Sequence, residues 1–214
     1  MSDIQGHEIS YRSKKVFDKM AKTKICVCGA GALGSNLVNN LVRQGFSQIT
    51  VIDMDRVEKH NIATQIYSKR DIGQMKAKAL KANVFQNTGQ VIEVVEKELR
   101  KNNAKKLLKG HDLVVDVFDN WDSRKLVGSV STSLGIPVVH AGMSDNGFSE
   151  VKWNEHYRIP AVDVEQEDIC DYPLAANLVQ LTSAVLAEAI VQFVSDEEMP
   201  NREITLKDVR VHIM

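Results

Sequence analysis

Cysteine is scarce: Cys26, Cys28 and Cys170 are the only three in 214 residues, and no two are spaced as Cys-x-x-Cys. That pattern excludes a zinc ribbon and a disulfide framework. Cys26 and Cys28, two apart in an apolar run, fall on one face of a strand and are expected in the core. An excess of either charge is also missing. With 27 basic and 28 acidic residues the formal net charge is −1, so neither nucleic acid nor an anionic membrane is an expected partner. No uninterrupted apolar run approaches the roughly 20 residues a membrane helix needs. Met1 to Ser10 is polar and mixed in charge, unlike a signal peptide, and the expected location is the reducing cytoplasm. Repeats, low-complexity tracts and linkers are absent too. At 43% hydrophobic the chain can bury one large core, and the expectation is a single domain over residues 1–214.

What is present is concentrated between Lys24 and Asp55. The apolar run Ile25-Cys26-Val27-Cys28 leads into Gly29-Ala30-Gly31-Ala32-Leu33-Gly34-Ser35, followed by Leu37, Val38 and Leu41 at helical spacing. A strand, a tight turn of the form Gly-x-Gly-x-x-Gly and a helix start are expected here. Gly29 permits the turn, Gly31 lets a pyrophosphate approach the backbone, and Gly34 lets the helix sit close to the strand. The free N–H groups of such a helix start, helped by its dipole, attract phosphate oxygens. A second apolar run, Ile49 to Ile52, ends in Asp53-Met54-Asp55. Asp53 stands 19 residues after Gly34, where an acid binds ribose hydroxyls. The order strand, turn, helix, acid points to a nucleotide site without specifying a reaction.

The remaining elements follow from periodicity. Ile9 to Lys22 reads as one N-terminal helix with Arg12 near its start. After Asp55 an irregular polar stretch runs to Lys76, the kind of long connection that carries function. Helices are expected at Lys76–Phe85, Asn103–Leu108, Ser123–Leu134 and Leu174–Val194, the last with Glu188 on its far face. Strands are expected at Val91–Val95, Leu113–Phe118 and Val138–Ala141. Phe148 to Trp153 and Ile204 to Ile213 alternate as antiparallel strands do, the second as a terminal edge, while Val162 to Pro173 reads as a loop. The fold class is therefore α/β: a Rossmann-like, mostly parallel sheet with antiparallel C-terminal strands and helices on both faces.

Five ordered motifs resemble the ThiF/MoeB/ubiquitin-activating superfamily of adenylyltransferases. They are the glycine turn, Asp53-Met54-Asp55, Asn61-Ile62-Ala63-Thr64-Gln65, Asp71-Ile72-Gly73-Gln74-Met75-Lys76, and Asp116-Val117-Phe118-Asp119-Asn120 with Arg124. The likeness continues through Gly135-Ile136-Pro137-Val138 to Gly147. The resemblance implies a dimeric enzyme, homodimer or heterodimer with a related subunit, that uses ATP and Mg2+. Its substrate would be the C-terminal glycine of a small β-grasp protein, either a ubiquitin-like modifier or a sulfur carrier. It assigns Lys76 to the α-phosphate and Asp119 to magnesium. Gly29, Ala30, Gly31 and Gly34 would form the nucleotide cradle, with Asp53 at the ribose, Asp55 and Asn120 beside the nucleotide, and Asn61 and Gln65 along the phosphates. Arg12 would be the arginine that reaches a neighbouring subunit's site.

The chain departs from the family pattern at three places. Thr64 stands where the family has an arginine, with Arg56, Lys69 and Arg70 as the nearby cations; only Tyr11-Arg12 remains of an N-terminal Arg-Tyr-x-Arg-Gln pattern; and the family's zinc-binding cysteine pairs are missing. Cys170 lies where some relatives carry an acceptor thiol. Its neighbours Glu165, Glu167, Asp168 and Asp171 would raise a thiol pKa, which argues for an unreactive cysteine. Bland readings stand beside the functional ones. Asp119-Asn120 is also a helix cap, Lys76 a solvated helix charge and Asp55 a turn residue. Two other functions stand beside this one: a subunit that binds a modifier without adenylating it, and a nicotinamide-dependent oxidoreductase, which shares the fold but requires neither Lys76, Asp119 nor the Asn61–Gln65 segment.

Overall fold

The computed structural model describes residues 3–157 and 174–214. The expected Val162–Pro173 loop and Cys170 lie outside them. Eight strands form one sheet among the described residues: β1 (Lys24–Cys28), β2 (Gln48–Ile52), β3 (Glu93–Val95), β4 (Leu113–Asp116), β5 (Val138–Met143), β6 (Phe148–Trp153), β7 (Arg202–Thr205) and β8 (Arg210–Ile213). Their order is β3-β2-β1-β4-β5-β6-β7-β8. The first five are mutually parallel, and β6, β7 and β8 are added antiparallel. The strand order reverses between β1 and β4, which places a crevice at the carboxyl ends of those two strands.

Helices cover both faces. They are α1 (Gly6–Arg12), α2 (Lys14–Lys22), α3 (Ala32–Gln44), α4 (Lys76–Thr88), α5 (Ala104–Leu108), α6 (Trp121–Leu134) and α7 (Ala176–Asp196). Alternation along β1 divides the core. Ile25 and Val27 join Leu37, Leu41, Leu80, Leu186 and Ile190 on one side, while Cys26 and Cys28 join Leu108, Val114 and Val127 on the other. Both cysteines are fully buried, as expected, and each leucine of this core contributes about 1.5–3 kcal/mol by leaving water.

Three elements differ from expectation. The single N-terminal helix is two, broken at Ser13, whose φ of 78° stops α1 and whose hydroxyl accepts the Val16 N–H to start α2. Arg12 therefore ends a helix instead of beginning one. The terminal strand is a hairpin, because the Thr205 hydroxyl turns back onto Asp208 and Val209 takes a φ of 52°. Helix α7, 21 residues long with an 18-residue stretch of mean hydropathy 1.6, is long and apolar enough to cross a bilayer, contrary to the reading of the runs. Here it serves as a core helix: Gln180 donates to Asn36 Oδ1 at 2.9 Å and Leu186 and Ile190 are buried.

Candidate functional site

The glycine turn is closed by contacts that no side chain could share. Gly29 sits at φ +112°, donates to Ile52 O at 2.9 Å, and leaves only 3.0 Å between a would-be Cβ and Val117 O. A Cβ on Gly34 would lie 2.0 Å from Gly29 O, so α3 approaches the turn as closely as backbone can. Above Gly31 the space is open, and no side chain caps the start of α3. The first-turn N–H groups are thus left uncapped and open to an anion.

Asp53, at the end of β2, is tied to this turn. Its Oδ2 accepts the Ala30 N–H at 2.7 Å and its Oδ1 accepts the Asp55 N–H at 2.8 Å. Only 6% of the residue is exposed. Burial pushes its carboxyl above the ordinary range, opposed by the Ala30 N–H and the charge of Lys76. Each oxygen retains a lone pair for a ribose hydroxyl.

Lys76 begins α4 and is held twice by Asp55. Its N–H donates to Asp55 O at 2.7 Å, and its Nζ lies 3.1 Å from Asp55 Oδ2. The ammonium is therefore anchored beside Asp53 and the turn, not solvated along a helix. Tyr67 fastens the arrangement from below, donating to Ala30 O at 2.7 Å and lying 3.2 Å from Lys76 O. Burial raises its phenol, which keeps it a donor. Sequence reasoning gave Tyr67 no role, because one tyrosine in an irregular segment carries no periodic signal.

The segment between β2 and α4 folds into short 3-10 turns at Lys59–Ala63 and Lys69–Asp71. Asn61, buried, accepts the Glu58 N–H through Oδ1 at 2.9 Å, leaving its amide N–H groups without a partner among the described residues. Gln65 Oε1 is buried and also without a partner. The buried Gln65 oxygen, close to the start of α3 through the Thr64 and Ile66 backbone contacts, suits a group that can donate to it. Thr64 presents no cation; its carbonyl accepts from Asn36 Nδ2 at 2.8 Å. Arg56 is exposed and donates to Gly73 O at 2.7 Å, and Lys69 and Arg70 are exposed.

Beyond β4, Asp119 and Asn120 divide their labour. Asn120 caps α6, its Oδ1 accepting the Ser123 N–H at 2.9 Å, while Asp119 is exposed and caps nothing. Among the described residues there is no group of three or more His, Cys, Asp or Glu side chains able to cage an ion. One exposed carboxylate, touched only weakly by Asn120 Nδ2 at 3.5 Å, suits a magnesium ion whose remaining ligands are phosphate oxygens and water. Among the described residues no hydrogen bond brings Arg12 to this end of the sheet. Its guanidinium reaches Glu188 Oε2 at 2.6 Å and Glu8 Oε2 at 2.7 Å, and hydrogen bonding to Glu188 raises its pKa further.

A second polar group, which sequence reasoning noted only through Arg124, lies past β4. Arg124 donates to Tyr157 Oη at 2.7 Å and to Ala141 O at 2.9 Å. Tyr157 stacks on His140 with ring centroids 4.4 Å apart, and His140 Nδ1 donates to Asp116 Oδ2 at 2.8 Å.

Comparison with known proteins adds to this geometry. Residues 7–208 match the ThiF family. A SUMO-activating enzyme subunit 2 of Dictyostelium discoideum is 33% identical over 145 residues, 66% of this chain and 22% of that protein. A SAMP-activating enzyme E1 of Haloferax volcanii is 33% identical over 127 residues, 58% of this chain and 47% of that protein. A sulfur carrier protein adenylyltransferase of Thermus thermophilus is 34% identical over 124 residues, 57% and 46% respectively. The chain thus spans less than half the length of these relatives. Among solved structures, E. coli MccB with MccA-N7isoASN superposes with a TM-score of 0.82 at 18% identity, covering 100% of this chain and 72% of MccB. E. coli MccB with ATP gives 0.79 at 18% identity, covering 97% and 69%. At that identity the likeness is one of fold.

Proposed function

The chain belongs to the ThiF family, and from that premise we propose that it is an ATP-dependent adenylyltransferase that activates the C-terminal glycine of a small ubiquitin-like or sulfur-carrier protein. One observation carries the reading. Asp53, Lys76 and Asp119 stand at the ends of β2, the start of α4 and the end of β4, around the glycine turn of β1, with Lys76 fixed by Asp55 at 3.1 Å. A dinucleotide enzyme requires the turn and Asp53 but neither Lys76 nor Asp119.

In the proposed reaction a carboxylate oxygen of the carrier attacks the α-phosphorus of ATP. The bond from that phosphorus to the bridging oxygen breaks, and pyrophosphate leaves with the electron pair. Asp53 holds the ribose and the turn's N–H groups hold phosphate oxygens. Lys76 exchanges Asp55 for the α-phosphate, where charge accumulates in the transition state. Asn61, whose Oδ1 is taken by the Glu58 N–H, donates from its amide N–H groups to phosphate oxygens. Asp119 would hold magnesium, which when bound offsets phosphate charge. The test is magnesium-dependent ATP–pyrophosphate exchange by this chain with sulfur-carrier and ubiquitin-like proteins ending in glycine. Exchange that rises with one carrier supports the reading. No exchange with any of them, in a protein that binds ATP, overturns it.

Thr64 favours a second reading, a subunit that completes or supports a related partner's site. No arginine stands at that position, and Arg12 is occupied by Glu188 and Glu8. Exchange that appears only when a related subunit is added would select it. Either reading includes a dimer, homodimeric or with that relative, which light scattering measures directly.

A further inference from the structure

Arg124 is a buried cation that forms no ion pair among the described residues. It is 9% exposed, and its hydrogen bonds go to two neutral oxygens, the Tyr157 hydroxyl and the Ala141 carbonyl. Among the described residues no carboxylate oxygen lies within 4.0 Å of its guanidinium. Glu150, across the sheet and within electrostatic reach, pairs in register with Gly142 and lies 3.9 Å from Lys152 Nζ. Holding a guanidinium out of water with no counter-charge costs several kcal/mol unless an anion joins it. Such a site fits a carboxylate, because the planar fork matches two oxygens at once.

The surroundings are built to receive one. Gly142 lies beneath: a Cβ there would stand 3.7 Å from Arg124 Nη2, 3.9 Å from Nη1 and 4.0 Å from Tyr157 Oη, so glycine keeps that side clear. Tyr157 Oη accepts from Arg124, which leaves the phenolic hydrogen to donate to the same anion. Burial holds that phenol above its ordinary pKa, so it stays protonated. The tyrosine is fixed in turn by its stack on His140, with planes 11° apart, and His140 by Asp116, which is fully buried.

Position along the crevice decides which anion this is. In sheet order, Asp53 ends β2, the glycine turn ends β1, Asp119 follows β4, and Ala141 and Gly142 belong to β5. A nucleotide with its ribose at Asp53 and phosphates at the turn runs toward Asp119. Arg124 lies on the far side of Asp119 from the ribose, where the attacking group must wait.

We propose that Arg124 and Tyr157 form the receiving site for the substrate's terminal carboxylate, with His140 and Asp116 as positioning residues. This rests on the adenylation reading and adds where the acid is held before attack.

The probe is a synthetic peptide ending in Gly-Gly, with a free or an amidated C terminus, titrated calorimetrically into the full chain at saturating ATP–magnesium. The free acid should bind at least tenfold more tightly than the amide. Arg124→Gln should bind both as weakly as the amide while keeping its ATP affinity, and Tyr157→Phe, which preserves the ring stack, should lose part of the preference. A preference that survives Arg124→Gln overturns the proposal, and so does equal or absent binding of the two peptides by the unmodified protein. Weakened ATP binding in Arg124→Gln with an intact preference assigns the anion to a phosphate and overturns it as well. If Arg124→Gln does not fold, Tyr157→Phe alone decides, and an unchanged preference in it overturns the proposal. Failure of the adenylation reading is seen separately, as absent pyrophosphate exchange in the unmodified protein.

Discussion

Asn120 Oδ1 accepts the N–H of Ser123 at 2.9 Å, and that one bond frees the neighbouring Asp119 from any duty to helix α6. The two residues are adjacent in sequence and either could have been the cap. Because the cap is Asn120, Asp119 stays exposed, with a long 3.5 Å contact from the Asn120 amide to its Oδ1 that an ion can replace.

This separates two substitutions. Asp119→Ala should slow pyrophosphate exchange by about 100- to 1000-fold, the usual consequence of losing one electrostatic contact to developing charge. Its thermal stability should stay within about 0.5 kcal/mol of the unmodified protein, as for other exposed sites. Asn120→Ala should cost roughly 1 kcal/mol of stability through the lost cap. Exchange and melting curves on both variants check the pair. A destabilised Asp119→Ala with near-normal exchange would reverse the assignment.

Nucleotide choice is the second expectation. Asp53 and the turn suit any adenine nucleotide, but Lys76 and the amide N–H groups of Asn61 suit a triphosphate. Calorimetry should give tight binding of ATP–magnesium and no useful affinity for NAD. Tighter binding of NAD would return the oxidoreductase reading.

The third concerns pH. Burial raises the folded-state pKa of Asp53 above its value of about 3.9 in the unfolded chain. The folded state therefore holds this proton to higher pH than the unfolded state does. Its contribution to stability is fully present below the unfolded value and is lost as pH rises through the folded one. Asp53→Asn should remove that component, so the difference in melting temperature between variant and unmodified protein should change across this window and level off above it. Nucleotide affinity should move the opposite way in the unmodified protein, falling as acidification protonates the ribose acceptor. A difference in melting temperature that stays constant with pH would show that Asp53 titrates alike in both states.

Much of this arrangement is legible in the chain, and the exceptions have physical causes. The glycine turn and Asp53 are legible because nucleotide binding needs those residue types at fixed spacing after β1 and β2, whereas Lys76 and Asp119 stand out only through the family resemblance. Parallel strands announced themselves as short apolar runs, and β6 by alternation. The break at Ser13 was not legible, since helical periodicity continues across it and only the backbone, at φ 78°, departs. The hairpin of β7 and β8 was missed because both strands alternate and the turn between them holds neither glycine nor proline. Tyr67 acts through its hydroxyl on two backbone carbonyls, a contact made only once β1 and α4 meet. His140 and Tyr157 matter through each other, across 17 residues of sequence that no local pattern connects.

The last prediction concerns the ion pair that positions Lys76. Asp55 is half exposed, with 54% of its side chain accessible, whereas the Lys76 side chain shows only 12%. Such a pair adds little to stability, roughly 0–1 kcal/mol, so neither Asp55→Ala nor Lys76→Ala should fail to fold. Their kinetics should differ. Lys76→Ala removes the cation that meets charge developing on the α-phosphate and should slow exchange by about 100- to 1000-fold. Asp55→Ala leaves the cation in place but unheld in the empty site, and α4 keeps its N–H contact to the residue-55 carbonyl. If Asp55 only stores Lys76 until the nucleotide arrives, its removal should leave exchange within about tenfold and strengthen ATP binding, because no pair must be broken first. Lys76→Arg should fall between the two, its fork being charged but shaped for other geometry. Exchange rates and ATP affinities for the three variants decide the matter. Near-normal exchange in Lys76→Ala would make the lysine a structural partner of Asp55 and remove it from the proposed chemistry.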